Sequence, residues 1–189
     1  LINKFLIIKY EYKSNKSTHV NLTNHSYWNL EKNKKKMIYN HELKLNSAKY
    51  LQINKNLIPT GKFKNIKKSI YDFSNFENIG KKLDYFKNKK FNTKFKGFDI
   101  TFSVKKNLKN YVGTLKNNNT NIQVDFFSNL PGVQLYSAQN LNYKKKLFPY
   151  QGICLETQYF PDTPNKKNFP STLIKPNKRY TCFTKIKIN

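Results

Sequence analysis

The sequence predicts an all-β protein, a large antiparallel β-sandwich, and three observations lead there. Apolar and polar residues alternate with period two in several segments, the pattern of strands with one buried and one solvated face. Aromatic and β-branched residues are plentiful while alanine is nearly absent, a bias toward pleated backbone. Helical periodicity is sparse. The 189 residues suit one domain, 1–189, large enough to bury a real core, and neither an internal repeat nor a linker divides them.

Taken in chain order, Leu6, Ile8, Tyr10 and Tyr12 share one side of a first strand, with Ile7, Lys9 and Glu11 on the other. The chain opens at Leu1 already inside this pattern, so the strand is expected to be an edge or to pair with something absent from this sequence. Phe76, Ile79, Leu83 and Phe86 form an apolar stripe at helical spacing, interrupted by Gly80, and predict a short surface helix covering a sheet. Ile122, Val124 and Phe126 alternate with Gln123 and Asp125. Tyr180, Cys182, Thr184, Ile186 and Ile188 alternate with Thr181, Lys185 and Lys187. Turn residues punctuate these runs at Pro59-Thr60-Gly61, Asn117–Asn119, Pro131-Gly132 and Pro161-Asp162-Thr163-Pro164-Asn165.

The formal net charge is +26. Its lysines are spread through almost every segment, with short runs such as Lys34-Lys35-Lys36 and Lys144-Lys145-Lys146. The chain is equally rich in Asn, Ile, Phe and Tyr, so a nucleotide bias accounts for the charge, and no specific nucleic-acid partner is expected. The apolar run Phe5–Ile8 is too short to cross a bilayer, and no secretion signal is recognisable, so no membrane partner and a cytoplasmic location are expected. Cys154 and Cys182 form no C-x-x-C and have no histidine nearby in sequence; buried free thiols are expected and a metal site is not.

Three ionisable residues stand in surroundings unlike solvated surface. Glu156 sits in Gly152-Ile153-Cys154-Leu155-Glu156-Thr157-Gln158-Tyr159-Phe160, an otherwise uncharged run where a lone carboxylate costs several kcal/mol. His25 lies in Val20–Leu30, a segment with no other formal charge and dense in hydrogen-bonding groups. Asp99 follows Gly97-Phe98 and opens the alternation of Ile100, Phe102 and Val104. Each has a structural reading: a satisfied histidine, a turn-closing aspartate, a glutamate paired with a cross-strand lysine. Together, a histidine and a carboxylate on one sheet make an acid/base pair if the fold brings them together.

These same segments resemble the aldose 1-epimerases, also called galactose mutarotases. NLTNHSYWNL (21–30) is similar to a family signature, followed in order by HELKLNSAKYLQINKNLIPTG (41–61), YDF (71–73), KGFDITF (96–102), LPGVQLYS (130–137) and GICLETQYFPDTPNKKNFPS (152–171). The resemblance implies the family's antiparallel β-sandwich and interconversion of the α and β anomers of hexoses such as galactose and glucose, with no metal or organic cofactor. It implies His25 as general acid on the ring oxygen and Glu156 as general base on the C1 hydroxyl. Asp99 and Gln134 are implied to hold sugar hydroxyls. An aldose is then the expected partner; oligomeric state is left open. Two substitutions depart from the pattern: Ile100 where the family has histidine, and Trp28 where it has phenylalanine. An Asn-Arg pair and a His-Gly-Gly motif, which the family carries before the region matching Leu1, have no counterpart here. The sequence is therefore expected to be a C-terminal portion, incomplete at its N-terminus. The alternatives are a non-catalytic sugar-binding remnant, a hexose 6-phosphate epimerase relative, and a polyanion-binding protein.

Overall fold

The computed structural model describes residues 5–88, 96–144 and 146–189. Leu1 and Lys145 lie outside them. Among the described residues the chain forms thirteen strands and one α-helix. Six strands, β1 (Phe5–Tyr12), β3 (His41–Leu45), β6 (Glu77–Asn78), β8 (Tyr111–Asn117), β9 (Ile122–Ser128) and β13 (Tyr180–Ile188), make one sheet in the order β1-β13-β9-β8-β3-β6. Five more, β4 (Ser47–Ile53), β5 (Pro59–Asn65), β7 (Asp99–Val104), β10 (Gly132–Tyr136) and β11 (Cys154–Gln158), make a second in the order β11-β10-β7-β4-β5. The short β2 (Thr18–His19) and β12 (Leu173–Ile174) pair with each other. Every strand pairing among the described residues is antiparallel, the arrangement that strands with one polar face favour.

The two sheets share one core. Leu43, Leu45, Leu115, Val124, Phe126 and Ile186 from the six-stranded sheet pack in the same cluster as Ile100, Phe102, Val133, Leu135 and Leu155 from the other. Burying each such side chain contributes about 1.5–3 kcal/mol. The expected alternation of β9 and β13 is observed: Val124 and Phe126 are buried in β9, and Cys182, Thr184 and Ile186 in β13. In β1 the alternation holds from Ile8 onward, whereas Leu6 and Ile7 are both exposed. Among the described residues β1 is an edge, paired with β13 alone.

The helix α1 (Ile79–Asn88) buries Ile79 and Leu83 completely and packs Phe86 against the core. Phe76, the first residue of the expected stripe, lies before the helix and is partly exposed, with the Lys116 ammonium 4.3 Å from its ring centroid. Gly80 no longer reads as an interruption. A Cβ there would stand 2.6 Å from the Tyr39 carbonyl oxygen, so only glycine lets the helix approach the 38–40 turn. Pro59-Thr60-Gly61 is not a turn: it begins β5, and the reversal falls earlier, where Asn54 accepts from the Leu57 N–H and donates to the Ile58 carbonyl.

Candidate functional site

Three adjacent strands build the site by alternation. Because Ile100, Phe102, Val133, Leu135 and Leu155 point into the shared core, the residues between them face the other way. These are Asp99 and Thr101 from β7, Gln134 and Tyr136 from β10, and Cys154, Glu156 and Gln158 from β11. The register sets Gln134 opposite both Thr101 and Glu156, and Tyr136 opposite both Asp99 and Cys154.

His25 reaches this face from outside the sheet. It sits on an irregular segment rather than on a strand, a correction to the pairing expected from two strands. The segment is tied along the free edge of β11 by a bridge and by side chains. Trp28 and Ile153 exchange backbone hydrogen bonds of 2.8 and 2.9 Å. The Asn21 amide both donates to the Tyr159 carbonyl at 3.1 Å and accepts from its N–H at 2.9 Å, and the Thr23 hydroxyl donates to the Thr157 carbonyl at 3.0 Å. The uncharged, hydrogen-bonding composition of this stretch is thus what lets it imitate a strand. Gly152 permits the approach, because a Cβ there would come within 2.9 Å of Tyr27 Cβ.

These elements bring all four sequence-derived residues, His25, Asp99, Gln134 and Glu156, to one open depression of ≈ 480 Å³, together with Tyr27, Tyr136, Asn140, Gln158 and Pro161. The His25 Nε2 lies 3.4 Å from Glu156 Oε1, with the imidazole side chain 47% exposed and the carboxylate side chain 9%. The rings of Tyr27 and Tyr136 flank the imidazole, at 5.0 and 6.1 Å between centroids. The Gln134 amide donates to Asp99 Oδ1 at 2.6 Å and accepts from the Thr101 hydroxyl.

Electrostatics separate this carboxylate pair from ordinary surface acids. Burial pushes the Glu156 carboxyl above its usual value, His25 pulls it back, and the Asp99 charge pushes it up again. Asp99 is likewise raised by burial, against the hydrogen bond from Gln134 and the influence of His25. The Cys154 thiol is pushed well up by burial and by the two carboxylates.

The structural alternatives are thereby answered for two of the three. Asp99 opens β7 and closes no turn, and Glu156 faces His25 and Gln134 with no cross-strand lysine opposite it. Ile100 points into the core at 3% exposure and does not line the depression. Trp28 packs on Phe126 edge to face at 5.5 Å. Tyr136, Thr101 and Gln158 were missed in sequence, yet each is two residues from a chosen one, a signal that strand parity carries. Asn140 carried no such signal. Both cysteines are free and buried, as expected, but the fold sets His25 beside Cys154, which sequence distance had hidden.

Residues 2–187 match the family described as Aldose 1-epimerase. Among curated proteins, the chain is 30% identical over 192 residues to the galactose mutarotase of Mus musculus, covering 97% of this chain and 54% of that protein. It is 27% identical over 186 residues to the aldose 1-epimerase of Escherichia coli (strain K12), covering 94% and 53%. Among solved structures, it resembles an aldose epimerase homologue from C. elegans with a TM-score of 0.85 at 18% identity, covering 100% of this chain and 57% of that one. A galactose 1-epimerase from Lactobacillus acidophilus NCFM gives 0.81 at 21% identity, covering 99% and 54%. The chain spans about half the length of the curated relatives it matches.

Proposed function

We propose, from the premise that the chain belongs to the aldose 1-epimerase family, that His25 and Glu156 are the acid and base of a sugar mutarotation site. One observation carries the reading: an imidazole nitrogen and a buried carboxylate oxygen stand 3.4 Å apart at an open polar depression. In a cyclic aldose the ring oxygen and the C1 hydroxyl are bonded to the same carbon. The groups that protonate one and deprotonate the other must therefore stand side by side, as these two do.

His25, protonated, gives its proton to the ring oxygen while Glu156 takes the proton of the C1 hydroxyl. The C1–ring-oxygen bond breaks and the C1 hydroxyl becomes the free aldehyde carbonyl. Rotation about C1–C2 presents the other face. The reversed transfers then close the ring with inverted configuration and restore both groups. The raised Glu156 carboxyl suits the task, because a base works best when its affinity for protons approaches the operating pH. Asp99 and Gln134, locked together by their hydrogen bond, offer acceptor and donor atoms to sugar hydroxyls. Tyr27 and Tyr136 supply ring faces for the sugar's apolar side.

The residues lining the depression include no lysine or arginine among those described, so nothing there favours a phosphorylated hexose. Polarimetry of fresh α-galactose and α-glucose with the purified protein tests the reading. Acceleration that falls by about 10²–10⁴-fold in Glu156→Gln and in His25→Asn is expected. Variants as fast as the parent overturn the roles, and sugar binding without acceleration marks a non-catalytic remnant.

A further inference from the structure

We propose that His25, Cys154 and Glu156 form a binding site for a thiophilic divalent cation such as Zn²⁺, whose occupancy shuts off the site. The shut-off, though not the binding, rests on the acid/base reading above. One His25 ring nitrogen, the Cys154 sulfur and a Glu156 carboxylate oxygen all lie within 4.8 Å of one another. Ligand atoms around a tetrahedral zinc, at bond lengths of about 2.0–2.3 Å, stand roughly 3.3–3.6 Å apart. Closing the cluster thus needs shifts of about 1 Å or so, within reach of the half-exposed imidazole.

Cys154 and Glu156 are two residues apart on β11, so strand geometry already holds sulfur and oxygen on one face. The nitrogen comes from the strap along the strand's edge. Three donors of mixed N, S and O type suit zinc sites that keep a water ligand, and two of them, His25 and Glu156, line the depression. The surroundings favour a cation. Asp99 lines the same depression as His25 and Glu156 and adds a second carboxylate to it.

On binding, the sulfur–metal bond forms as the thiol proton leaves to water, while the neutral imidazole and the carboxylate each donate a lone pair and metal-bound waters depart. His25 then has no proton to give and Glu156 no lone pair free to receive one.

Cobalt(II) titration of the purified, reduced protein reads the site without sugar or turnover. A near-ultraviolet thiolate-to-cobalt charge-transfer absorption, abolished by added Zn²⁺, is expected. Cys154→Ser should lose it, His25→Asn should weaken cobalt binding by at least about tenfold, and Cys182→Ser should change nothing. Circular dichroism checks that each variant is folded. If Cys154→Ser is not, the exposed position 25 decides. Absence of the absorption in the parent, or its survival in folded Cys154→Ser or at full affinity in His25→Asn, overturns the site. Mutarotation that is stopped by Zn²⁺ in the parent and persists in Cys154→Ser supports the shut-off. Mutarotation untouched by saturating Zn²⁺ overturns it, and a protein with no mutarotation that still shows the absorption keeps the metal site while the sugar reading falls.

Discussion

Glu31 and Glu156 are both buried glutamates, 4% and 7% exposed, each near a histidine, and the protein treats them in opposite ways. Burial raises Glu31, but amide bonds at 3.0 Å from both Asn40 and Asn117, with the influence of His41 and Lys36, carry it below its ordinary value. Its neighbour His41 is fully buried, accepts the Leu30 N–H at 2.7 Å through Nε2, and is pushed down to about 4 by that burial. Glu156 stands 3.4 Å from a half-exposed histidine at an open depression, and its carboxyl ends up raised. Burial therefore does not distinguish architecture from chemistry. What distinguishes them is whether the charge is fixed by donors or left able to take a proton.

The sharpest way to break the comparison is to convert both to glutamine. Glu156→Gln is expected to lower mutarotation by about 10²–10⁴-fold, and Glu31→Gln to leave it within a small factor, both read by polarimetry. Comparable losses in two folded variants would erase the contrast.

Stability should reverse the order. Glu31→Ala leaves the Asn40 and Asn117 amides without their acceptor and should cost about 1–3 kcal/mol in urea unfolding. Glu156→Gln should be neutral or stabilising at neutral pH, because it removes a buried charge that folding disfavours. A Glu156→Gln protein less stable than Glu31→Ala would show that the carboxylate near His25 is an anchor after all.

The pH dependence sharpens the same point. Glu31 is depressed, so its contribution is present above its unfolded value of about 4.3 and is lost as pH falls through the folded value. The parent's advantage over Glu31→Gln should shrink in acid. Glu156 is raised, so its penalty is absent below about 4.3 and grows until the pH exceeds the folded value. The deficit of the parent against Glu156→Gln should open as pH rises. Unfolding curves at a series of pH values decide both, and parallel slopes would sink the assignment of opposite shifts.

The smallest effect concerns orientation. Thr101→Val removes the hydroxyl that donates to the Gln134 carbonyl, and should weaken galactose binding by about 0.5–1.5 kcal/mol by calorimetry. Unchanged affinity would mean that Asp99 alone orients Gln134.

Sequence made one of these glutamates visible and hid the other. Glu156 stood out because its neighbours are uncharged; Glu31 is followed by Lys32 and the Lys34–Lys36 run and reads as solvated surface. Its acceptor role depends on Asn117, 86 residues away, in a chain where asparagine is everywhere. Strands with one polar face, such as β9 and β13, were legible because alternation is a local property. The Asn54–Ile58 reversal was not, since its turn chemistry comes from an asparagine rather than from the adjacent proline and glycine. His25 could be picked out, but its strap and its closeness to Cys154 arise from contacts more than a hundred residues apart in sequence.

The interleaving of site and core along β7, β10 and β11 has a consequence for how the gene can change. Which residues face the depression is decided by whether their position is odd or even. An insertion of one residue within β11 would exchange Glu156 for its neighbours, sending a carboxylate toward Leu135 and Val133 and a leucine toward water. Loops between these strands are free of that rule, because the register on either side is set by packing. Drift in length should accumulate in the connections. Inside the three strands, single-residue insertions and deletions should be removed by selection even where every point substitution on the site face is tolerated by the fold.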